Sequence, residues 1–251
     1  MMYCTTYNSG LSFRKKRREN DNLEQQAQAL FKAWFVDFEP FKDGKFVESE
    51  LGMIPEGWKV TLFSNIVNVK GGGTPRTNIN EYWNGDIPFF TPKDITQFYY
   101  TYTTEKYLTH YGIDNCNSTL YPSDTIIITA RGTVGKVRLL AVPMAMNQSC
   151  YALLPCKGIP TAYAFLLIRS LVYAMKKKSN GAVFDAITTK DFAEKIILPK
   201  EDVLNEFSKV ISPIFEKINY LGKECNSLIS TRDALLPKLM SGELKINDLN
   251  C

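Results

Sequence analysis

The C-terminal fifty residues carry an apolar seam that constrains the fold more than any other feature. The seam residues recur at alternating steps of three and four: Leu204, Phe207, Ile211, Ile214, Ile218, Leu221, Cys225, Leu228, Arg232, Leu235 and Leu239. A period of 3.5 residues is typical of a coiled coil, so the seam predicts one long helix that needs a partner helix. A helix of about 25 to 35 residues spans about 40 to 50 Å, which exceeds the reach that a compact core needs. We therefore predict a spacer or dimerisation rod. Its predicted helix-pairing residues are Leu204, Phe207, Ile211, Ile214, Ile218, Leu221, Leu228 and Leu235.

Composition and short motifs limit the classes of protein to consider. Apolar residues make up 45% and charged residues 22% of the 251 residues, which is typical of a folded domain in water. No apolar run approaches the roughly 18 residues of a spanning helix, and the basic run 14–18 is not followed by an export signal, so we expect a cytoplasmic protein. Six cysteines without a CxxC pair, and a single histidine, His110, predict reduced thiols and no metal site.

Positive charge is concentrated in the middle of the chain. Between Trp58 and Lys200 there are 16 Lys and Arg against 9 Asp and Glu, a balance of +7, whereas the whole chain carries +4. The two flanks together are therefore acidic. A basic middle domain that is rich in aromatic residues indicates a polyanion partner, although many folded domains carry such a charge on a solvated face.

The pattern along the chain predicts a mixed α/β fold, with one compact domain flanked by long helices that form a coiled coil. A first helix is predicted over 19–36 with Asn20 or Asp21 as N-cap, followed by a Pro- and Gly-punctuated linker at 51–58. A helix is predicted over 161–177, and the last helix begins either near Glu201 or at Ser212. Predicted strands cover 60–70, 87–90, 125–129, 134–141, 148–154 and 195–198. The corresponding domains are 1–50, 51–200 and 201–251.

Seven segments in this order resemble one known family. They are 22–41 (NLEQQAQALFKAWFVDFEPF), 51–60 (LGMIPEGWKV), 71–77 (GGGTPRT), 82–95 (YWNGDIPFFTPKDI), 130–137 (ARGTVGKV), 146–153 (MNQSCYAL) and 231–244 (TRDALLPKLMSGEL). Together they resemble the specificity subunit of type I restriction-modification systems. The resemblance implies a non-catalytic subunit that recognises DNA through two target-recognition domains separated by conserved helices, each domain reading one half of a split site. It also implies methyltransferase subunits that use S-adenosylmethionine, and restriction subunits that use ATP and Mg²⁺, with no cofactor in this chain.

The sequence departs from that family pattern because it contains one target-recognition domain, preceded by only the tail of a central helix. Two interpretations follow. The chain is a half-subunit that pairs with a second copy or with a separately encoded half, or it is the remnant of a broken gene. A homodimer would read an interrupted palindrome. A hypothesis of a different class is a coiled-coil interaction protein whose middle domain binds protein or RNA.

Candidate DNA contacts lie in loops that are rich in donors. Glycines 71–73 allow close backbone approach beside Thr74, Arg76, Thr77 and Asn78, although an ordinary hairpin turn is an equal alternative. The remaining candidates are Thr91, Lys93, Arg131, Lys136, Lys176, Lys177, Lys178, Asn180, Thr189 and Lys190. For the lysine run 176–178 the alternative is a solvated cap at a helix C-terminus.

Catalytic motifs are not found in the sequence. The segment 130–137 departs from the phosphate-binding pattern GxxxxGK[ST] at Ala130 and at Val137. Carboxylates at Asp37, Glu39 and Asp43 lie in a segment that Pro40 and Gly44 interrupt, which argues against a nuclease cluster. We therefore predict no catalytic residue.

Overall fold

The computed structural model describes residues 2–178 and 186–243, and the side chains of 12–177 and 186–243. Its helices are α1 (Met2–Phe35), α2 (His110–Asp114), α3 (Thr161–Lys178) and α4 (Glu201–Met240). Its strands are β1 (Phe46–Ser49), β2 (Gly52–Pro55), β3 (Lys59–Leu62), β4 (Val67–Gly71), β5 (Trp83–Phe90), β6 (Tyr100–Thr101), β7 (Lys106–Leu108), β8 (Ile126–Thr129), β9 (Val137–Leu140), β10 (Ala145–Met146), β11 (Cys150–Pro155) and β12 (Lys195–Leu198). The predicted mixed α/β class is confirmed.

A five-stranded sheet in the order β4-β11-β8-β9-β6 forms the centre of the middle domain. Its neighbours pair antiparallel except β6 and β9, which are parallel. Strands β8 and β9 are buried along their whole length, as expected for a β-branched run such as Ile126–Thr129 in the middle of a covered sheet. A second sheet has the order β10-β5-β7, and β3 pairs with β12.

Helices α1 and α4 pack antiparallel, so the chain itself supplies a partner for the seam. The Phe31 and Phe207 rings lie 6.5 Å apart, and Lys16 Nζ contacts Glu224 Oε2 at 2.5 Å near the other end of the pair. Six seam residues, Leu204, Phe207, Ile211, Ile218, Leu221 and Cys225, are buried. Beyond Cys225 the seam residues become exposed to solvent: Leu228 is half-buried, and Leu235 is 39% exposed.

Several predicted boundaries were wrong. Helix α1 begins at Met2 rather than at an Asn20 or Asp21 cap, and Asn20 is a buried residue inside the helix. The reason is that the basic run 14–18 consists of good helix formers, and Lys16 pairs with α4, so nothing ends the helix there. Part of the predicted linker forms the β1–β2 hairpin, which turns at Gly52 with a left-handed φ of 96°.

One further predicted element was wrong, and one open alternative is decided. The predicted strand 60–70 is interrupted by a 3-10 turn at Phe63–Asn65, which separates β3 and β4 into different sheets. Helix α4 begins at Glu201, and Pro213 lies inside it.

An aromatic cluster joins the two long helices to the middle domain. The Phe35 ring centroid lies 4.7 Å from that of Phe207, 5.0 Å from Tyr163 of α3 and 6.0 Å from Trp58. Such ring pairs contribute about 0.5 to 1.5 kcal/mol each beyond their buried area. The helices and the sheet domain therefore share one hydrophobic core.

Candidate nucleic-acid interface

The predicted contact loops converge at one end of the five-stranded sheet. At this end β4 and β8 finish, at Gly71 and Thr129, and β9 and β11 begin, at Val137 and Cys150. We call it the loop-rich end; it comprises the loops 72–82, 91–98, 130–136 and 147–149. The carboxyl end of α3 and the turn at 188–193 join it through the contacts described below.

The glycine segment 71–73 is not a hairpin turn, because β4 pairs with β11 and not with the next strand in the chain. Gly73 N donates to Met146 O at 3.1 Å, and a Cβ on Gly72 would lie 2.4 Å from that same oxygen. Only glycine permits this close backbone approach. Next to it, Thr74 donates its hydroxyl to Gln148 Oε1 at 2.5 Å. The predicted contacts Arg76, Thr77 and Asn78 follow and are all exposed.

The loop after β5 lies against the loop between β8 and β9. Thr133 Oγ1 donates to Pro92 O at 3.5 Å. Thr91 is a capping residue: its backbone N–H and its hydroxyl both donate to Asp94 Oδ2 at 2.7 Å, so the turn uses the hydroxyl that was predicted to contact DNA. Lys93 beside it is exposed, as are Arg131 and Lys136.

Helix α3 ends against the same β8–β9 loop. Lys176 Nζ donates to Val134 O at 2.9 Å, and burial together with the nearby Lys136 lowers the pKa of Lys176. Lys177 is exposed, whereas the side chains of Lys178 and Asn180 lie outside the described residues.

The turn that carries Thr189 and Lys190 is tied to the same end of the sheet. Ile187 N donates to Ala130 O at 2.9 Å, and Thr188 caps the turn by donating to Asp191 Oδ2. Thr189 and Lys190 are exposed. The structure therefore brings the described members of the predicted set onto one surface, while their contact with DNA remains a prediction.

Two of the acidic groups at the loop-rich end, Asp94 and Asp191, are engaged in turns. Asp94 accepts hydrogen bonds from its own turn and from Glu105 N at 2.7 Å, and Asp191 caps the other turn. The predicted contacts Arg76, Lys93, Arg131, Lys136, Lys177 and Lys190 are exposed instead. This part of the surface therefore has the excess of positive charge that phosphate groups require.

Sequence reasoning missed two amide side chains that belong to this surface. Asn117 borders the glycine segment at Gly73, and beneath it the buried Ser118 Oγ accepts from Met146 N at 3.1 Å. Gln148 is exposed and bonded to Thr74. Asn and Gln are the side chains that read adenine through two hydrogen bonds. Their polar type was the only available signal, because no local pattern brings 117 and 148 beside 73.

Other kinds of site find no support in the part of the chain that is described. Among residues with described side chains, no group of three or more His, Cys, Asp or Glu could hold a metal ion. Cys116, Cys150, Cys156 and Cys225 are free thiols, and burial raises the pKa of Cys150 to about 12. No described helix is both long and apolar enough to cross a membrane.

Comparison with known proteins identifies the family. The model of the type I restriction modification DNA specificity domain matches residues 55–230, which include the whole loop-rich end. The chain belongs to this family. Among its curated relatives, the type I restriction enzyme MjaIX specificity subunit of Methanocaldococcus jannaschii is 31% identical over 67% of this chain and 40% of its own length. The HindI specificity subunit of Haemophilus influenzae is 26% identical over 90% of this chain and 62% of its own length.

Solved structures show the same fold. The S subunit of the type I system from M. genitalium has a TM-score of 0.58 at 17% identity, covering 93% of this chain and 56% of that one. The HsdS subunit from Thermoanaerobacter tengcongensis has a TM-score of 0.53 at 17% identity, covering 92% of this chain and 54% of that one. This chain thus spans about half the length of the relatives that it matches.

Proposed function

We propose that the chain is a non-catalytic DNA-specificity subunit that reads one half of a bipartite site through the loop-rich end. The observation that carries the proposal is the convergence of the separate basic loops, which are up to about a hundred residues apart in sequence, onto one surface. Phosphate contacts from Arg76, Lys93 and Arg131 supply affinity that depends on salt, and the amide side chains beside them supply base discrimination.

The helices provide the docking surface for the other subunits. We propose that α1 and α4 hold methyltransferase subunits, which bring S-adenosylmethionine, and that the assembly takes up restriction subunits, which use ATP and Mg²⁺. The apolar surface that α4 exposes at Leu235, Leu236 and Met240 supports pairing with a second copy or with a separate half-subunit. Two identical domains related by a two-fold axis would read an interrupted palindrome.

Charge reversal tests the DNA assignment. In Arg76→Glu, Lys93→Glu and Arg131→Glu, we expect weaker binding of a mixed-sequence duplex, with the slope of log affinity against log salt reduced by about 0.9 for each phosphate that the substituted side chain no longer neutralises. The matched control is Lys157→Glu, an exposed site beyond the opposite end of β11. Equal affinity of all four variants and the parent chain would refute the DNA assignment and favour a protein or RNA partner.

Solution mass tests the assembly. Light scattering behind a sizing column is measured on the chain alone and with a cognate methyltransferase subunit. A dimer that takes up two methyltransferase subunits supports a working half-subunit. A monomer that captures none contradicts the docking proposal and points to a remnant that needs its missing half.

A further inference from the structure

Among its described lining residues, a cleft beside the loop-rich end has more cationic than anionic side chains. It lies between α1, α3 and β9, has a volume of about 660 Å³, and is lined by Lys136, Arg138, Arg169 and Lys176 among other residues. Lys32 also lines it but contacts Asp37. Among the described lining residues the single carboxylate is that of Glu24. The predicted contact set includes Lys136 and Lys176 but neither arginine, so most of this cleft is additional to that set.

Arg169 is held by two aromatic rings and forms no salt bridge with a described carboxylate. Its guanidinium lies 4.5 Å from the ring centroid of Tyr99 and 5.5 Å from that of Phe165. Its Nε atom is buried and has no hydrogen-bond partner among the described atoms, and no described carboxylate lies within 4 Å of the group. A stacked guanidinium loses little side-chain entropy when it binds a ligand, which makes it a favourable anion contact.

Arg138 adds to the positive charge from inside the cleft. Its Nε donates to Thr96 O at 2.9 Å and its Nη1 to Val137 O at 2.7 Å, so backbone oxygens rather than a carboxylate hold it. Burial, together with the nearby charge of Arg169, lowers the pKa of Arg138 to about 10. Glu24 faces both arginines, but its carboxylate accepts hydrogen bonds from Asn20 Nδ2 and Tyr99 N instead of pairing with either.

A row of three side chains along α3 leads from this cleft to the loop-rich end. Arg169, Tyr173 and Lys176 stand at i, i+4 and i+7, which places them on one face of the helix. The row covers about 10 Å, or about three base pairs of duplex. Tyr173 is 72% exposed, and Gly135 of the β8–β9 loop lines the same cleft. A duplex bound at the loop-rich end would pass along this row.

We propose that the cleft binds the sugar-phosphate backbone of DNA that flanks the half-site, with Arg169 and Tyr173 as contacts to phosphate oxygens. This inference rests on the proposed function. A phosphate brings the negative charge that offsets the excess of cations in the cleft, and guanidinium and phenol groups are both suitable donors to its oxygens. Such contacts position the protein on the duplex and carry no sequence information, so they act equally on every target.

Insertion of a negative charge tests the proposal with little risk to folding. In Ser170→Glu, at an exposed position lining the cleft, we expect weaker binding of mixed-sequence duplexes, by the same factor for each sequence, and a salt slope lower by about 0.9. Tyr173→Phe keeps the ring and loses the hydroxyl donor, so it should weaken binding less. Glu24→Gln removes the carboxylate and should tighten binding at pH 8. The matched control is Ser64→Glu, which is exposed and precedes β4 at the opposite end of the sheet.

The outcomes separate this inference from the proposed function. If the parent chain does not bind duplex DNA, the proposed function fails and the cleft assignment fails with it. If the parent binds and Arg131→Glu weakens binding, but Ser170→Glu behaves like Ser64→Glu, the cleft assignment alone is overturned. If Ser170→Glu retains DNA affinity and loses association with the methyltransferase subunit, the cleft holds an acidic protein segment, and the cleft assignment is again overturned while the proposed function stands.

Discussion

Glu24 makes the stability of the joint between α1 and the middle domain depend on pH. Burial raises the pKa of this carboxyl from 4.5 to about 7, against the opposing effects of its hydrogen bonds from Asn20 and Tyr99. The folded state therefore favours the protonated form. The contribution of the protonated Glu24 to the free energy of unfolding is fully present below about pH 4.5 and is lost as the pH rises through about 7. At about 1.4 kcal/mol for each tenfold change in proton affinity, the loss is about 3 to 4 kcal/mol.

The variant Glu24→Gln isolates this effect. Glutamine retains an oxygen that accepts the same two hydrogen bonds but cannot ionise, so we expect the variant to be more stable than the parent at pH 8, by up to about 3 to 4 kcal/mol. The difference should shrink as the pH falls to 5. Urea unfolding at pH 5, 6, 7 and 8 measures both proteins, and Glu48→Gln, at an exposed carboxyl on β1, is the control. A variant whose pH dependence matches the parent, or that is less stable at pH 8, would refute the burial argument.

Three further substitutions have defined expectations. Phe207→Ala should lower the free energy of unfolding by about 3 to 5 kcal/mol in urea titrations, because the ring is fully buried in the aromatic cluster around Phe35. A loss under 1 kcal/mol would contradict the shared core. Leu235→Ala should cost under about 0.5 kcal/mol in the isolated chain, because the side chain is 39% exposed; it should instead lower the association constant measured by light scattering, if α4 pairs there. Gly72→Ala should cost about 1 to 3 kcal/mol, because its Cβ would lie 2.3 Å from Asn147 O, and should weaken duplex binding in an anisotropy titration. The control is Gly132→Ala. Gly132 has a positive φ, but the nearest atom to an added Cβ there is Pro92 Cβ at 3.8 Å, so this substitution should leave the contacts between loops intact.

The repeating patterns of the sequence predicted the fold class and most of the regular elements. Helix α3 and strand β12 lie within one residue of their predicted bounds, because Pro160 precedes the helix and Pro199 follows the β-branched strand, and such boundaries are decided locally. The period of the α4 seam correctly indicated a partner helix, but a period does not say which one. The contacts from Lys16 to Glu224 and from Phe31 to Phe207 identify α1, and those depend on the whole fold.

The candidate site was predictable only in part, for the same physical reason. Polar loops with glycine were recognisable as loops, and the structure gathers them at one end of the sheet. The amides at 117 and 148, and the two arginines of the cleft, carry no local signal. Arg138 lies on a buried strand and Arg169 on a mostly buried helix, so only tertiary packing reveals that both face one cavity.

Two separate attachments fix the direction of α4 relative to the loop-rich end. Phe207 packs the start of the helix into the aromatic cluster around Phe35. Farther along, the Tyr102 hydroxyl donates to Asn219 O at 2.7 Å. The same hydroxyl packs against Gly222, where an added Cβ would lie 2.5 Å from the hydroxyl oxygen. Twelve residues of helix separate the two points, or about 18 Å. A rod that is held at one point can swing, whereas a rod held at two points this far apart keeps its orientation. If α4 pairs with a second specificity half, as we propose, the distance between the two recognition surfaces follows from this rigid attachment, and the spacer between the two halves of the DNA site has one preferred length.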